Sequence, residues 1–276
     1  MSAALYGVRR RTGWTGLALV LVMFGTALMG PFLAGPDPAA QDLMRTVEPP
    51  SLAHPLGTDG VGRDVLSRLL HGAPRSLGIA VLCVSVAAGV GVLLGLAAAC
   101  AGGLAETLVM RLADLMLAFP GILLALLLAG FMGGGVLPML VGLKLTLWPQ
   151  FARMAHAIAV GVLREPHVEA ARLAGFPTPV ILRRHVLPPV LRQVTTLATL
   201  GAGSAIMSIS ALGFLGLGLQ PPTPEWGAMI SELLPHLSEA PVQMAAPCAA
   251  IFLAVLGCTL AGDALTGAAA RTSGAA

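Results

Sequence analysis

Few side chains in this 276-residue sequence stand in arrangements that make or break covalent bonds. No GxxxxGK[ST] loop is present to cradle phosphates, so the chain has no P-loop route to ATP hydrolysis. It lacks the HExxH pair of a zinc hydrolase, and Ser204 lies in an apolar "GAGSAI" that is not a nucleophile elbow. Cys83, Cys100, Cys248 and Cys258 all fall inside apolar runs without CxxC spacing, the pattern of buried free thiols. The six histidines (His54, His71, His156, His167, His185, His236) show no metal-ligand spacing, and the twelve methionines read as packing. We therefore expect no catalytic, cofactor-binding or metal-binding residues in this chain.

What remains is charge placed among apolar residues. Residues 165–189, "EPHVEAARLAGFPTPVILRRHVLPP", carry acids, bases and prolines between long aliphatic runs. Pro166 suits a first helical position and Gly175 the left-handed position just past a helix end. Glu165 and Glu169 fall in the first turn, where acids complement the helix dipole, and Arg172 follows Glu169 at i+3. Thr178 is placed to cap a second short helix from Pro179, and Pro188-Pro189 mark its exit. The first helix presents a small face of Ala170, Ala171 and Ala174. Such a face fits a groove on another protein, or belongs to an amphipathic connector on anionic lipid; the residues alone leave both open.

The other charges stand singly or in short local patterns. Arg111 and Asp114 have i, i+3 spacing for a local ion pair. Lys144, inside an apolar run, either snorkels outward or lines a pathway, with Trp148 one turn on as a second candidate. Arg153 and His156 suit a membrane boundary, and Asp263 a helix end. Glu225, Glu232 and Glu239 recur at seven-residue steps, a solvated face if helical, and Trp226 suits an interfacial depth. Glu225 and Trp226 are candidates for an outer gate.

The elements that position these residues follow from composition. The sequence is 56% hydrophobic and 11% charged, with net charge +3 and a mean hydropathy of +0.86. A soluble domain is about a quarter charged, so this chain cannot cover a water-facing surface. About 20 apolar residues cross a hydrocarbon core, and six segments qualify: about 14–34, 76–101, 108–132, 136–160, 191–219 and 244–268. "RRR" at 9–11 precedes a run too long for a signal peptide, which reads as an uncleaved anchor. Arg9, Arg10 and Arg11, with Arg164, Arg172, Arg183, Arg184 and Arg192, put the N-terminus and the 165–189 loop on the cytoplasmic side, four crossings apart. Loop 220–243 has no Lys or Arg.

The expected fold is all-α: a polytopic membrane bundle of six transmembrane helices with a cytoplasmic loop at 165–189. Its parts are a cytoplasmic N-terminus at 1–13, a first anchor at 14–34, an extracytoplasmic segment at 35–75, a transmembrane domain at 76–268 and a cytoplasmic tail at 269–276. Gly89, Gly91 and Gly95 suggest a close-packing face on the second helix, and Phe119-Pro120 a kink in the third.

"EAARLAG" followed by "HVLP" resembles the EAA loop of ATP-binding-cassette importer permeases. Glu169, Ala170, Ala171, Gly175, Leu187 and Pro188 occupy its positions, with Arg172 between them. "HPLGTDGVGRDVLSRLLHGAPRSL" (54–77), "LWPQFARMAHAIAVGVLREPHVEAARLAG" (147–175) and "FLGLGLQPPTPEWGAMI" (214–230) are similar to the second permease subunit of dipeptide, oligopeptide and nickel importers. The resemblance implies an inner-membrane permease forming half of a pathway for short peptides or for nickel and metal chelates. It also implies a coupling helix at 165–189 and a second homologous permease. Two cytoplasmic ATPase subunits would hold the ATP and magnesium, and an extracytoplasmic binding protein would deliver cargo. Two departures stand out: Ile209 replaces an acid common in the peptide permeases, which leaves a metal chelate more open, and the tail after "GDAL" lacks the usual Arg-Asp continuation. The competing classes are a stand-alone ion-coupled secondary transporter and a membrane enzyme.

Overall fold

The fold of the computed structural model is helical throughout its regular elements, with one isolated bridge between Thr58 and Asp64. The structure describes residues 2–35 and 37–273, with side chains over 14–35 and 37–266. The side chains of Arg9, Arg10 and Arg11 and the end of the 269–276 tail lie outside the described residues. The helices are α1 (Ser2–Leu33), α2 (Val65–Ala101), α3 (Gly103–Leu117), α4 (Gly121–Phe131), α5 (Val136–Leu163), α6 (Pro166–Leu173), α7 (Thr178–Ile181), α8 (Leu187–Phe214), α9 (Trp226–Leu233) and α10 (Pro241–Ser273).

Among the described residues, four helical stretches are long and apolar enough to cross a membrane: Trp14–Leu33, Val65–Ala101, Thr178–Phe214 and Pro241–Thr266. The pair α3 and α4, bent by 87°, passes the same test together and makes a fifth when the two are counted as one span. The chain is a polytopic helical membrane protein. The bend falls where Phe119-Pro120 predicts a kink, and Pro120 stands at the N-cap of α4, since proline lacks the N–H that would continue α3. Helix α5, the fourth expected span, is not among these five. Its 28 residues are long enough, but Lys144, Gln150, Arg153 and His156 dilute its apolar character.

Dilution is tolerated there because α5 is shielded. Gly91 of α2 faces the Trp148 carbonyl and Phe151, and Gly95 faces Ala152 and His156. Residue numbers rise together, so α2 and α5 run parallel, nearly backbone to backbone. Phe151, Ala152, Ala155 and Ala159 of α5 are fully buried. Gly89 meets nothing within 4 Å, so the expected glycine face consists of Gly91 and Gly95 alone. Helix α8 packs against this pair at Gly201, which faces Val84 of α2 and Phe151 of α5, and the antiparallel α1 and α10 close its far side, Gly257 resting on Leu19 and Val20.

Two local expectations change. Helix α2 begins at Val65, earlier than the 76 that hydropathy marks, because Asp64 caps it by accepting from the Ser67 amide at 2.7 Å. Asp114 pairs with Arg153 of α5 and not with Arg111, since α3 crosses α5 and brings the longer-range partner closer. Glu106 and His156 make a second α3–α5 contact at 2.7 Å.

Candidate coupling loop and outer gate

The 165–189 loop is built from stops. Glu165 is extended (φ −73°, ψ 143°), Pro166 opens α6, and Glu169 and Arg172 take the first and last turns. Past its end Gly175 adopts φ +84°. The Gly175 amide donates to the Arg172 carbonyl at 3.0 Å and the Phe176 amide to Ala171 at 3.1 Å. That pair of bonds is a Schellman closure, which satisfies carbonyls a helix end otherwise leaves open. Only Val168 of α6 is buried. Glu169, Ala170 and Arg172 are exposed, Ala171 half-buried, and Leu173 and Phe176 are 85% and 49% exposed.

The second half of the loop differs from the expectation. Helix α7 starts at Thr178 itself, with Pro177 at the cap and no side-chain capping bond. It does not exit at Pro188-Pro189 but runs through a π turn, Leu182–Val186, into α8. Both prolines then fall in the first turn of α8, where a missing N–H costs little, and the wider turn absorbs the mismatch. Leu187 is half-buried and Pro188 exposed. Arg183 and Arg184 are exposed on the π turn, and the His167 and His185 rings lie 5.2 Å apart, joining α6 to it.

At the opposite end of the bundle, residues 54–77 pack on 214–233. Helix α8 ends in a second Schellman closure: Gly216 at φ +75°, its amide on Gly213 and that of Leu217 on Leu212. Glu225 then caps α9, its two oxygens accepting from the Gly227 and Ala228 amides at 2.9 Å each, while the Ser76 hydroxyl donates at 3.0 Å. Glu225 is fully buried. Burial pushes its carboxyl above the usual carboxylate range, against the downward pull of those three donors. Trp226 is 2% exposed, and its indole N–H donates to the Leu69 carbonyl at 3.0 Å.

Beside it lies a cluster that local reading misses. Asp59 accepts from Arg63 Nε at 2.6 Å, and Glu232 Oε2 accepts from both Arg63 and Arg68 at 2.6 Å. Arg63, Arg68 and Asp59 are each nearly fully buried. His54 holds Asp64 at 3.0 Å, and Gln243 of α10 donates to the Glu48 carbonyl at 2.9 Å. Glu239 lies beyond the end of α9, so the seven-residue spacing does not make one solvated face. Lys144 is half-buried, and among the described residues it has no ion-pair partner. Trp148 is buried against Gly91. Ile209, at the position where peptide permeases often carry an acid, is fully buried.

Residues 91–272 match the family described as binding-protein-dependent transport system inner membrane component. The chain is 39% identical over 256 residues to the di/tripeptide transport system permease protein DppC of Pseudomonas aeruginosa, covering 91% of this chain and 84% of that one. It is 39% identical to the glutathione transport system permease protein GsiD of Pectobacterium atrosepticum (81% and 74% covered) and 37% identical to GsiD of Escherichia coli O6:K15:H31 (93% and 85%). Among solved structures it is similar to a chain of the inward-facing MetNI methionine ABC transporter. The TM-score is 0.52 at 19% identity, over 71% of this chain and 95% of that one, a likeness of fold.

Proposed function

The chain belongs to the inner membrane components of binding-protein-dependent transport systems, and from that premise we propose that it couples ATP hydrolysed on partner subunits to import of short peptides. It is the permease component of an ABC importer and does no bond-making chemistry itself. On this reading there are six crossings, α5 being the fourth, with both termini and the 165–189 loop on the cytoplasmic side. The domain boundaries are those drawn above: 1–13, 14–34, 35–75, 76–268 and 269–276. A second, homologous permease completes the pathway, two ATPase subunits bind from the cytoplasm, and an extracytoplasmic binding protein delivers the cargo.

One observation carries the coupling role. Helix α6 opens on Pro166, closes in the Schellman turn at Gly175 and buries only Val168, so a small-sided helix stands free with Glu169, Ala170 and Arg172 exposed and Ala171 half-buried. Glu169 and Arg172 pair at the rim of the ATPase cleft, the alanines permit close fit, and Gly175 makes the turn. Leu187 and Pro188 carry the push into α8 through the π turn. Lys144 lines the pathway, with Trp148 buried behind it as support; a cation inside a span is costly and by default functional. Glu225 and Trp226 hold the outer gate. Di- and tripeptides and glutathione, named for the relatives, are the cargo class favoured over nickel.

The test is ATPase-subunit binding and coupled uptake in Glu169→Arg and Gly175→Val variants of the assembled transporter. Both should lose subunit binding and at least tenfold in uptake while still inserting. Unchanged coupled uptake overturns the assignment. Competition on the cognate binding protein by dipeptides, glutathione and nickel tests the cargo.

A further inference from the structure

Between α1, α2, α8 and α10 lies an apolar groove of about 490 Å³ that neither coupling nor gating uses. Leu17, Val84, Ala198 and Cys258 are among its lining residues. Three hydroxyl residues line it, Ser85 of α2 and Thr195 and Thr199 of α8, and the two threonines are turned back on their own helix. The Thr195 hydroxyl donates to the Leu191 carbonyl at 2.8 Å and that of Thr199 to Thr195 at 2.9 Å, so both spend their donors within α8. Leu17, Val81 and Leu265 on its rim are each about 40% exposed, which leaves the groove open at the side of the bundle. All four helices belong to stretches able to cross a membrane, so it opens onto lipid.

An apolar wall in a bilayer selects nothing by itself, because acyl chains are as apolar as the side chains they would meet. Selectivity comes from Arg192. It stands at i−3 from Thr195 and i−7 from Thr199, hence on the same face of α8, and lies one turn nearer the end that carries the arginine-rich loop. It is exposed, and no ion pair occupies it among the described residues. The α8 lining runs from Thr195 to Ala202, three to ten residues beyond Arg192, or about 5 to 15 Å along the axis at 1.5 Å per residue. That is the reach of an acyl chain whose phosphate sits at the guanidinium. Asp263, the acid closest in sequence to the α10 lining, is not part of the wall.

We propose that this groove is a binding site for one anionic phospholipid, an acyl chain lying against α8 and α10 and the phosphate held by Arg192. The site borders α8, the helix that carries the push on the coupling reading proposed above, so its occupant would be a structural lipid of that helix.

The experiment uses the full-length chain with its partner subunits, in nanodiscs of phosphatidylethanolamine doped with phosphatidylglycerol. Lipid retained after mild delipidation is identified by native mass spectrometry. The wild type should keep phosphatidylglycerol with about fivefold preference, the size expected of one basic side chain near the surface. Arg192→Gln should retain lipid without headgroup preference, Arg192→Lys should keep the preference, and Ala198→Phe should retain none. The proposal is overturned by a wild type that keeps no lipid or keeps both headgroups equally. It is also overturned by retention unchanged in Ala198→Phe, or by a photocrosslinker at position 198 capturing a partner permease helix in place of lipid.

Discussion

A buried carboxylate is expensive unless its oxygens are occupied, and Glu225 meets that condition with two amides and a hydroxyl. Glu225→Ala removes the cap and strands those donors, so we expect a loss of about 2–4 kcal/mol, read as a fall in detergent thermal stability. Burial still raises the carboxyl above its usual range, so the fold binds that proton more tightly than the unfolded chain does. Its contribution is complete below the unfolded carboxylate range and declines as pH rises through the elevated folded value. Glu225→Gln should flatten that part of the stability profile, and a profile unchanged by the substitution counts against the linkage. The Asp59–Arg63–Arg68–Glu232 cluster obeys a harsher rule. Removing Glu232 leaves two guanidiniums without their shared acceptor, so Glu232→Ala should cost about 3–5 kcal/mol. Adding Arg68→Met should recover part of that loss, a double-mutant cycle measured by the same melting assay.

At the scale of elements, two glycine-closed helix ends and one glycine seam do most of the shaping. Gly175 and Gly216 close α6 and α8 with the same pair of bonds. On α2, Gly95 lies where a Cβ would meet the Ala152 carbonyl, whereas Gly89 faces open space. Gly95→Leu should therefore force α2 from α5 and abolish accumulation of folded protein, and Gly89→Leu should leave it near wild type, as immunoblots of the membrane fraction would show. The contrast tells how far sequence reading reaches. Stops at Pro166 and Gly175 are legible because each acts within about four residues of itself, through dihedral preference and helix-end bonding. The merger of α7 into α8 is not, since two adjacent prolines signal an exit locally while the π turn accommodates them. Glu232 and Arg63 are 169 residues apart, and no local periodicity announces such a pair. Hydropathy likewise places the start of α2 late, because Arg68 and its polar neighbours hide the helix that Asp64 caps.

For the whole molecule, the proposed six-pass arrangement requires α5 to cross a membrane while carrying Lys144, Gln150, Arg153 and His156. A helix facing lipid all round needs an apolar surface; one wedged between α2, α4 and α8 needs it only where lipid touches. Contacts between elements make the alternation of ends explicit. The Gly135 amide, at the start of α5, donates to Leu217, just past the end of α8, so both lie at the end that holds α9. Helix α6 then follows the far end of α5, with α8 returning the chain to α9. On the proposed reading, which counts α5, six passes alternate consistently and would put Leu173 and Leu52 on opposite sides. Both are strongly exposed, at 85% and 104%, so each is a fair labelling site. With the four native cysteines replaced by alanine, Leu52→Cys should react with a membrane-impermeant maleimide in intact spheroplasts. Leu173→Cys should react only after permeabilisation. Labelling of Leu173→Cys from outside would remove one crossing and with it the cytoplasmic placement on which the coupling role depends.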